Sequence, residues 1–418
     1  MVSAFVASAS GASAPSLKGG NASQWRTSFG APRALGCAAR RSRAAAAGTV
    51  RMNVANTETL ANVTNKDAKK VLNIGIIGAG RIGQVHADTI TFRTKGAKLV
   101  GVASGTKQLA DRCSLEHGCQ PYYEYHDLLE NPEVDAVCIC SASNQHTEQI
   151  IEAAKYGKHI FCEKPIDTNL EVVDKALVAV KEAGVKLQVG FNRRFDQNYR
   201  RIKQAVDNGE IGTPHMIHIT SRDPSPPPIE YVKNSGGIWL DCSIHDFDMA
   251  RFLIGSEVEE VYALGACNIN PDFAQYGDID TSLVTLKFAN GVIGTIDNSR
   301  QAVFGYDQRC EVFGSGGSCE INNNYANSAV ISTGKKIERD LPLHFFMDRY
   351  TESFVTEMND FINVCLYDAP IPCTGIDGRA PVVIALAAKK SYQEGRPVKL
   401  SEVDVPMPAA IKGWNGQM

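Results

Sequence analysis

The apolar positions along the chain fall into two regimes. From residue 71 to 190, short, nearly continuous apolar runs alternate with stretches of helical period. Val71-Leu72-Asn73-Ile74-Gly75-Ile76-Ile77 reads as a strand buried on both faces. Lys98 to Ala103, Val134 to Cys140, His159 to Cys162 and Lys186 to Gly190 repeat that pattern. Between them, helices are predicted to about Phe92, from Thr147 to Tyr156 and from Leu170 to Ala183. Strictly alternating β and α predicts an α/β doubly wound parallel sheet. After about Phe191 the character changes. Met216 to Thr220, Val258 to Ala263, Ser282 to Phe288, Val292 to Ser299 and Asp307 to Phe313 read as strands with short connections. Asn290-Gly291 predicts a hairpin in which both central residues tolerate positive φ. The second unit, 191–375, is therefore an α+β domain with an open, largely antiparallel sheet, and a helix from Asp241 to Ile254 is inserted near its start. A late helix within 376–400 is expected to pack back on the first domain, leaving 401–418 as a tail.

The turn after the first strand carries candidate chemistry. Gly78-Ala79-Gly80-Arg81-Ile82-Gly83 joins a strand to a helix, so backbone N–H groups and the helix N-terminus can approach a pyrophosphate. Gly78, Gly80, Arg81, Ile82 and Gly83 are the expected cofactor contacts. The ribose selector belongs at the end of the second strand, where an Asp or Glu would bind the 2′-hydroxyl of NAD. Here the residues are Ser104-Gly105-Thr106-Lys107, with Arg112 one turn on. Without a carboxylate to repel a 2′-phosphate, the charge pattern leans towards NADP over NAD, through Ser104 and Lys107. Lys107 as a solvated helix residue is the alternative. Asn144 and His146, in the loop after the fourth strand, are further cofactor candidates; helix capping by Asn144 competes with that role.

A second motif lies far downstream, in Gly236-Gly237-Ile238-Trp239-Leu240-Asp241-Cys242-Ser243-Ile244-His245-Asp246-Phe247-Asp248. Asp241 and His245 are four apart, which on one helix stacks them on one face. A carboxylate beside an imidazole can fix its tautomer and raise its basicity, as a general base requires. The bland alternative makes Asp241 an N-cap and His245 a wall residue. His245-Asp246-x-Asp248 also hints at a metal, but no companion Cys/His cluster completes a shell, so no metal is expected.

Composition adds bounds. The chain has 418 residues, 44% hydrophobic and 21% charged, which suits two globular domains. No apolar run is long enough to span a bilayer, so no membrane association is expected. Twelve cysteines lack paired CxxC spacing and several lie in strand-like runs, which argues for reduced, buried thiols. Residues 1–57 hold seven Arg or Lys and no Asp or Glu, the composition of an organelle transit peptide, assigned to 1–68. A plastid address is favoured, with mitochondrion or cytoplasm as alternatives. Losing those cations takes the formal charge from −3 to about −10, which disfavours nucleic acid.

Phe161-Cys162-Glu163-Lys164-Pro165, a strand ending in Glu-Lys-Pro downstream of the glycine fingerprint, resembles the Gfo/Idh/MocA oxidoreductases. The setting of Asp241 and His245 is similar to that of the myo-inositol 2-dehydrogenases within this family. Gly190-Phe191-Asn192-Arg193-Arg194-Phe195-Asp196 and Gly305-Tyr306-Asp307-Gln308-Arg309-Cys310-Glu311 are similar to its substrate-side stretches. The resemblance runs from about Asn73 to Leu400. The chain differs from NAD-using relatives at Ser104, and in the proline-rich loop Pro226-Pro227-Pro228. The resemblance implies a dehydrogenase that oxidises a secondary hydroxyl of a cyclic polyol or sugar. It further implies Glu163 and Lys164 at the cofactor, Arg193 and Tyr306 at the substrate, and a homo-oligomer (dimer or tetramer) whose pairing covers one face of the second sheet. In that scheme His245 is the base, Asp241 orients it, and Lys164 holds the reacting oxygen. An aldose or glucose–fructose-type oxidoreductase, a relative using bound NAD transiently for glycoside cleavage, and a non-catalytic sensor are the rivals on the same scaffold.

Overall fold

The computed structural model describes residues 71–233 and 235–418; the expected transit segment lies outside them. The first sheet has six parallel strands, β1 (Leu72–Ile77), β2 (Ala97–Ala103), β3 (Gln120–Tyr122), β4 (Ala136–Ile139), β5 (His159–Glu163) and β6 (Leu187–Gly190), in the order β3-β2-β1-β4-β5-β6. The chain runs outward from β1 in one direction through β2 and β3, then restarts beside β1 with β4. That reversal leaves a crevice at the carboxyl ends of β1 and β4, the place where such sheets bind ligands. Every residue of β4 is buried, as a strand covered on both faces requires.

The second sheet is built from β7 (Pro214–Arg222), β8 (Val258–Ala266), β9 (Thr281–Phe288), β10 (Ile293–Ser299), β11 (Asp307–Gly314) and β12 (Gly317–Ile321). A short β13 (Val330–Ser332) pairs with β14 (Ile337–Arg339), and β15 (Val398–Lys399) completes the large sheet's edge. The order is β12-β11-β7-β10-β9-β8-β15, antiparallel throughout except for β7 against β10. In β9 burial alternates strictly, so one face meets the core and the other does not. At the β9–β10 hairpin only Gly291 adopts positive φ (+87°); Asn290 does not. One αL residue next to the turn is enough to match the twist of the strands.

One helical expectation changes. The helix predicted from Asp241 to Ile254 is two segments, Gly237–Asp241 and Ser243–Ile254, meeting at Cys242. Helix Thr351–Tyr367, within the stretch assigned to the second domain, buries Met358, Phe361 and Ile362 in the apolar layer of β1 and β2. Its period reveals an apolar stripe but not which sheet receives it. Helix Gly375–Glu394 lies against both sheets: a side chain at Gly378 would meet Val189 of β6, while Ser391 accepts the backbone N–H of Ala263 in β8. The tail is anchored as well, since Gln417 bonds both backbone groups of Ile371. No described helix is long and apolar enough to cross a membrane.

Candidate active site

The turn after β1 is shaped by its glycines in three different ways. Gly78 takes φ +101°, and a Cβ there would lie 2.6 Å from the backbone nitrogen of Ser141. A Cβ on Gly83 would lie 1.9 Å from the Gly78 carbonyl oxygen, so the helix that starts at Arg81 can approach the turn only with glycine at this position. At Gly80 nothing lies within 4 Å. Gly80 is also the N-cap of helix Arg81–Asp88, and no side chain caps that helix. Free N–H groups at an open backbone position make a cradle that fits a dinucleotide pyrophosphate. Ile82 packs into the apolar layers beneath, and the exposed Arg81 guanidinium stands 6.0 Å from the ring of Phe345.

The remaining cofactor candidates divide. Ser104 directly follows β2 and accepts the N–H of Thr106, while exposed Lys107 lies over the Tyr123 ring at 4.9 Å. Arg112 is committed to Glu116 at 2.8 Å. Asn144 is exposed in a 3₁₀ turn with no capping bond, so the capping alternative does not hold. His146 is not free for a cofactor. It is buried, with Nδ1 2.7 Å from the Pro165 carbonyl and Nε2 3.1 Å from that of Ser141, and it ties the loop after β4 to the Glu-Lys-Pro loop. Burial holds its imidazole below the ordinary range. Glu163 is likewise turned inward, paired with His86 at 2.7 Å. A strand alternates its side chains, so Glu163 and Lys164 cannot both face the crevice.

Lys164 does face it. Its Nζ donates to the Asp241 carbonyl at 3.0 Å and lies 3.6 Å from Asp241 Oδ1. Asp241 is delivered by Gly236 and Gly237, both at positive φ, and by Asp278, which accepts the Ile238 N–H at 2.8 Å. Around its carboxylate, Tyr231 donates to Oδ1 at 2.8 Å and Arg300 lies 2.9 Å from Oδ2. Burial alone would make this group a weaker acid, but the cations Lys164 and Arg300 outweigh it and hold Asp241 below the ordinary carboxylate range. His245 sits on the next helix, its ring edge-to-face with Phe191 at 5.9 Å. Burial, then the charges of Lys164 and Arg193, push its imidazole well below the usual value, so it is a neutral base at neutral pH. The three expected residues thus share one electrostatic site.

The expected Asp241–His245 bond is a correction. Among the described residues no hydrogen bond joins them, because the helix breaks at Cys242 and Asp241 turns to Tyr231, Arg300 and Lys164. Arg193 is the second correction. It is 3% exposed and spends its guanidinium on Asp246 and, at 3.2 Å, on Ser221. Its guanidinium is thus committed within the protein, and its charge acts on His245. Arg194 clamps Asp248 through two bonds of 2.7 and 2.8 Å, so both acids of the suggested metal motif are engaged. Tyr306 is buried against Tyr350 with ring centroids 6.0 Å apart, and burial raises its phenol well above the ordinary range.

Sequence reasoning missed Tyr231, Asp223 and Arg300. Tyr231 is carried on the short helix that follows the proline run, which explains that loop. Arg300 immediately follows β10 and bridges Asp241 and Asp223, the latter at 3.4 Å. Asp223 and Arg300 stand just after β7 and β10, the one signal that could have marked them; Tyr231 had none.

Residues 72–191 match the oxidoreductase family with an NAD-binding Rossmann fold, and residues 199–320 match the GFO/IDH/MocA C-terminal domain. An uncharacterized oxidoreductase of Bacillus subtilis, YrbE, is 48% identical over 339 residues, 80% of this chain and 98% of that protein. The myo-inositol 2-dehydrogenase of Thermotoga maritima is 44% identical over 336 residues, 79% of this chain and 99% of that protein. A crystal structure of scyllo-inositol dehydrogenase from Lactobacillus casei, with bound NAD(H) and scyllo-inositol, superposes with a TM-score of 0.75 at 31% identity, covering 79% of this chain and 100% of that one. With a glycine cradle at the crevice and a lysine, a carboxylate and a neutral imidazole beside it, the chain belongs to the Gfo/Idh/MocA family and is an NAD-dependent dehydrogenase acting on CH–OH groups.

Proposed function

We propose that the substrate is an inositol, oxidised at one ring hydroxyl to the ketone. The observation that carries this reading is the meeting of Lys164, Asp241 and His245 at the carboxyl edge of the sheet that holds the glycine cradle. The names of the relatives, inositol 2-dehydrogenases and scyllo-inositol dehydrogenases, support the polyol class. Bound nicotinamide supplies a hydride acceptor. The chain supplies the rest. His245 Nδ1 is sealed in without a partner, so Nε2 is the nitrogen that receives the hydroxyl proton. The Lys164 ammonium has three donors, of which one holds the Asp241 carbonyl and another can stabilise the developing alkoxide. Asp241 holds the ammonium in place and balances its charge.

Three finer points belong to the same proposal. NADP is favoured over NAD, since no carboxylate follows β2 and Lys107 stands exposed at the start of its helix; Arg112, being paired, adds little. The chain pairs with a second copy through the outer face of the large sheet, where Met216, Ile293 and Phe313 are each 44–53% exposed around a depression of about 740 Å³. Residues 1–68 direct import into plastids, which a fluorescent fusion of that segment would reveal by its location.

Initial rates with NAD and NADP against myo-inositol, scyllo-inositol and glucose test the function. Turnover of an inositol well above that of glucose is expected. Glucose as the better substrate, or sugar release without reduced cofactor, would replace it with one of the rivals.

A further inference from the structure

Behind the cofactor edge lies a cluster of donor atoms that hydride transfer does not use. Cys138 is on β4 and Cys140 just beyond it, two residues on, so both side chains leave the same face. Their sulfurs are 3.5 Å apart. His86, from the helix that starts at Arg81, stands over them. One of its ring nitrogens and the two sulfurs lie within 4.8 Å of one another. All three residues are buried.

Two buried groups in the same place lack partners. His86 Nε2 is paired with Glu163 at 2.7 Å, while its Nδ1 has no hydrogen bond. Glu357 is fully buried, and neither of its carboxyl oxygens has a partner. Glu357 is close enough for its charge to act on both thiols. Interiors seldom leave such groups unmatched. An imidazole held by a carboxylate through one nitrogen presents a bare lone pair at the other, the arrangement typical of metal-bound histidine.

We propose that His86, Cys138 and Cys140 form a buried site for a thiophilic dication, Zn²⁺ by its chemistry. Tetrahedral zinc with Zn–S bonds of about 2.3 Å needs sulfurs roughly 3.8 Å apart, close to the separation found. Sulfur and imidazole donors select against magnesium and calcium. On binding, each thiol loses its proton to solvent, and two thiolates neutralise the dication. Glu357, whose charge reaches both thiols, lies outside that three-residue cluster and would have to turn towards it to complete the shell. The site is enclosed, so it loads as the chain folds. Once filled, it fastens the helix behind the glycine turn to β4, holding the cradle from the rear.

The test uses the full chain, unfolded with chelator and refolded with or without ZnCl₂, then desalted and analysed for metal. One zinc per chain is expected, and a cobalt-loaded sample should show thiolate-to-cobalt charge transfer. Both signals should vanish in Cys138→Ala and Cys140→Ala and persist in Cys113→Ser, whose thiol lies on another helix. Alanine suits the apolar surroundings, and circular dichroism identifies the variants that fold. Zinc-free wild type after refolding with ZnCl₂, or unchanged stoichiometry in a folded cysteine variant, overturns the proposal.

Discussion

His245 is the residue on which the chemistry turns. Its imidazole is depressed by burial and by two neighbouring cations, so the acidic limb of kcat/KM for alcohol oxidation should fall below about pH 6.5, the value of an unperturbed histidine. The same shift costs stability in acid. Below about pH 6.5 the unfolded chain takes up a proton that the folded imidazole refuses, so stability declines until the folded value is reached. Removing the ring in His245→Ala should lower kcat by roughly two to four powers of ten, with substrate binding less affected. A variant of undiminished kcat would discharge His245 as the base. Arg300 makes a separate prediction. It is 3% exposed between Asp241 and Asp223. In Arg300→Met the half-buried Asp223 loses its counter-charge and Asp241 keeps only Lys164, at a cost of about 3 kcal/mol in urea unfolding. An unmoved midpoint would show that Arg300 carries no structural burden.

At the scale of elements, the glycine turn separates folding from ligand binding. Gly83→Ala meets the Gly78 carbonyl and should destabilise the first sheet as well as abolish cofactor binding. Gly80 has ordinary φ and open space around it, so Gly80→Ala should melt like wild type while binding NAD at least about tenfold more weakly. Equal affinity in Gly80→Ala would place the pyrophosphate elsewhere. Legibility followed the same division. The βα alternation and the Gly-x-Gly-x-x-Gly turn were readable because they are local patterns. The Asp241–His245 pairing was misread because spacing of four assumes an unbroken helix, and the break at Cys242 left no mark in the apolar period. Glu163 and His146 were assigned outward from motif position alone, although their partners, His86 and Pro165, come from other segments. The meeting of His86 with Cys138 and Cys140 is tertiary in the same sense, since the histidine is fifty-two residues before the first cysteine.

At the scale of the molecule, the catalytic groups come from both sheets. Lys164 ends β5 of the parallel sheet, while Asp241, His245 and Arg300 belong to segments packed with the mixed sheet. The buried chain Ser243–Asn298–Asp246–Arg193–Ser221 ties helix Ser243–Ile254 to β7 and β10, so the second sheet is the platform for the base. The opposite face of that platform is the proposed pairing surface. Ile293→Asp should therefore convert the assembly to monomers in sedimentation, whereas an unchanged mass would move the interface. The central claim is that hydride leaves a ring carbon of inositol while His245 takes the proton from its oxygen. It is tested most directly with myo-inositol deuterated at the oxidised carbon. Mass spectrometry of the reduced cofactor should find one deuterium transferred per turnover, with formation of that cofactor suppressed in His245→Ala. Reduced cofactor without deuterium, or none formed from any inositol, would contradict the account.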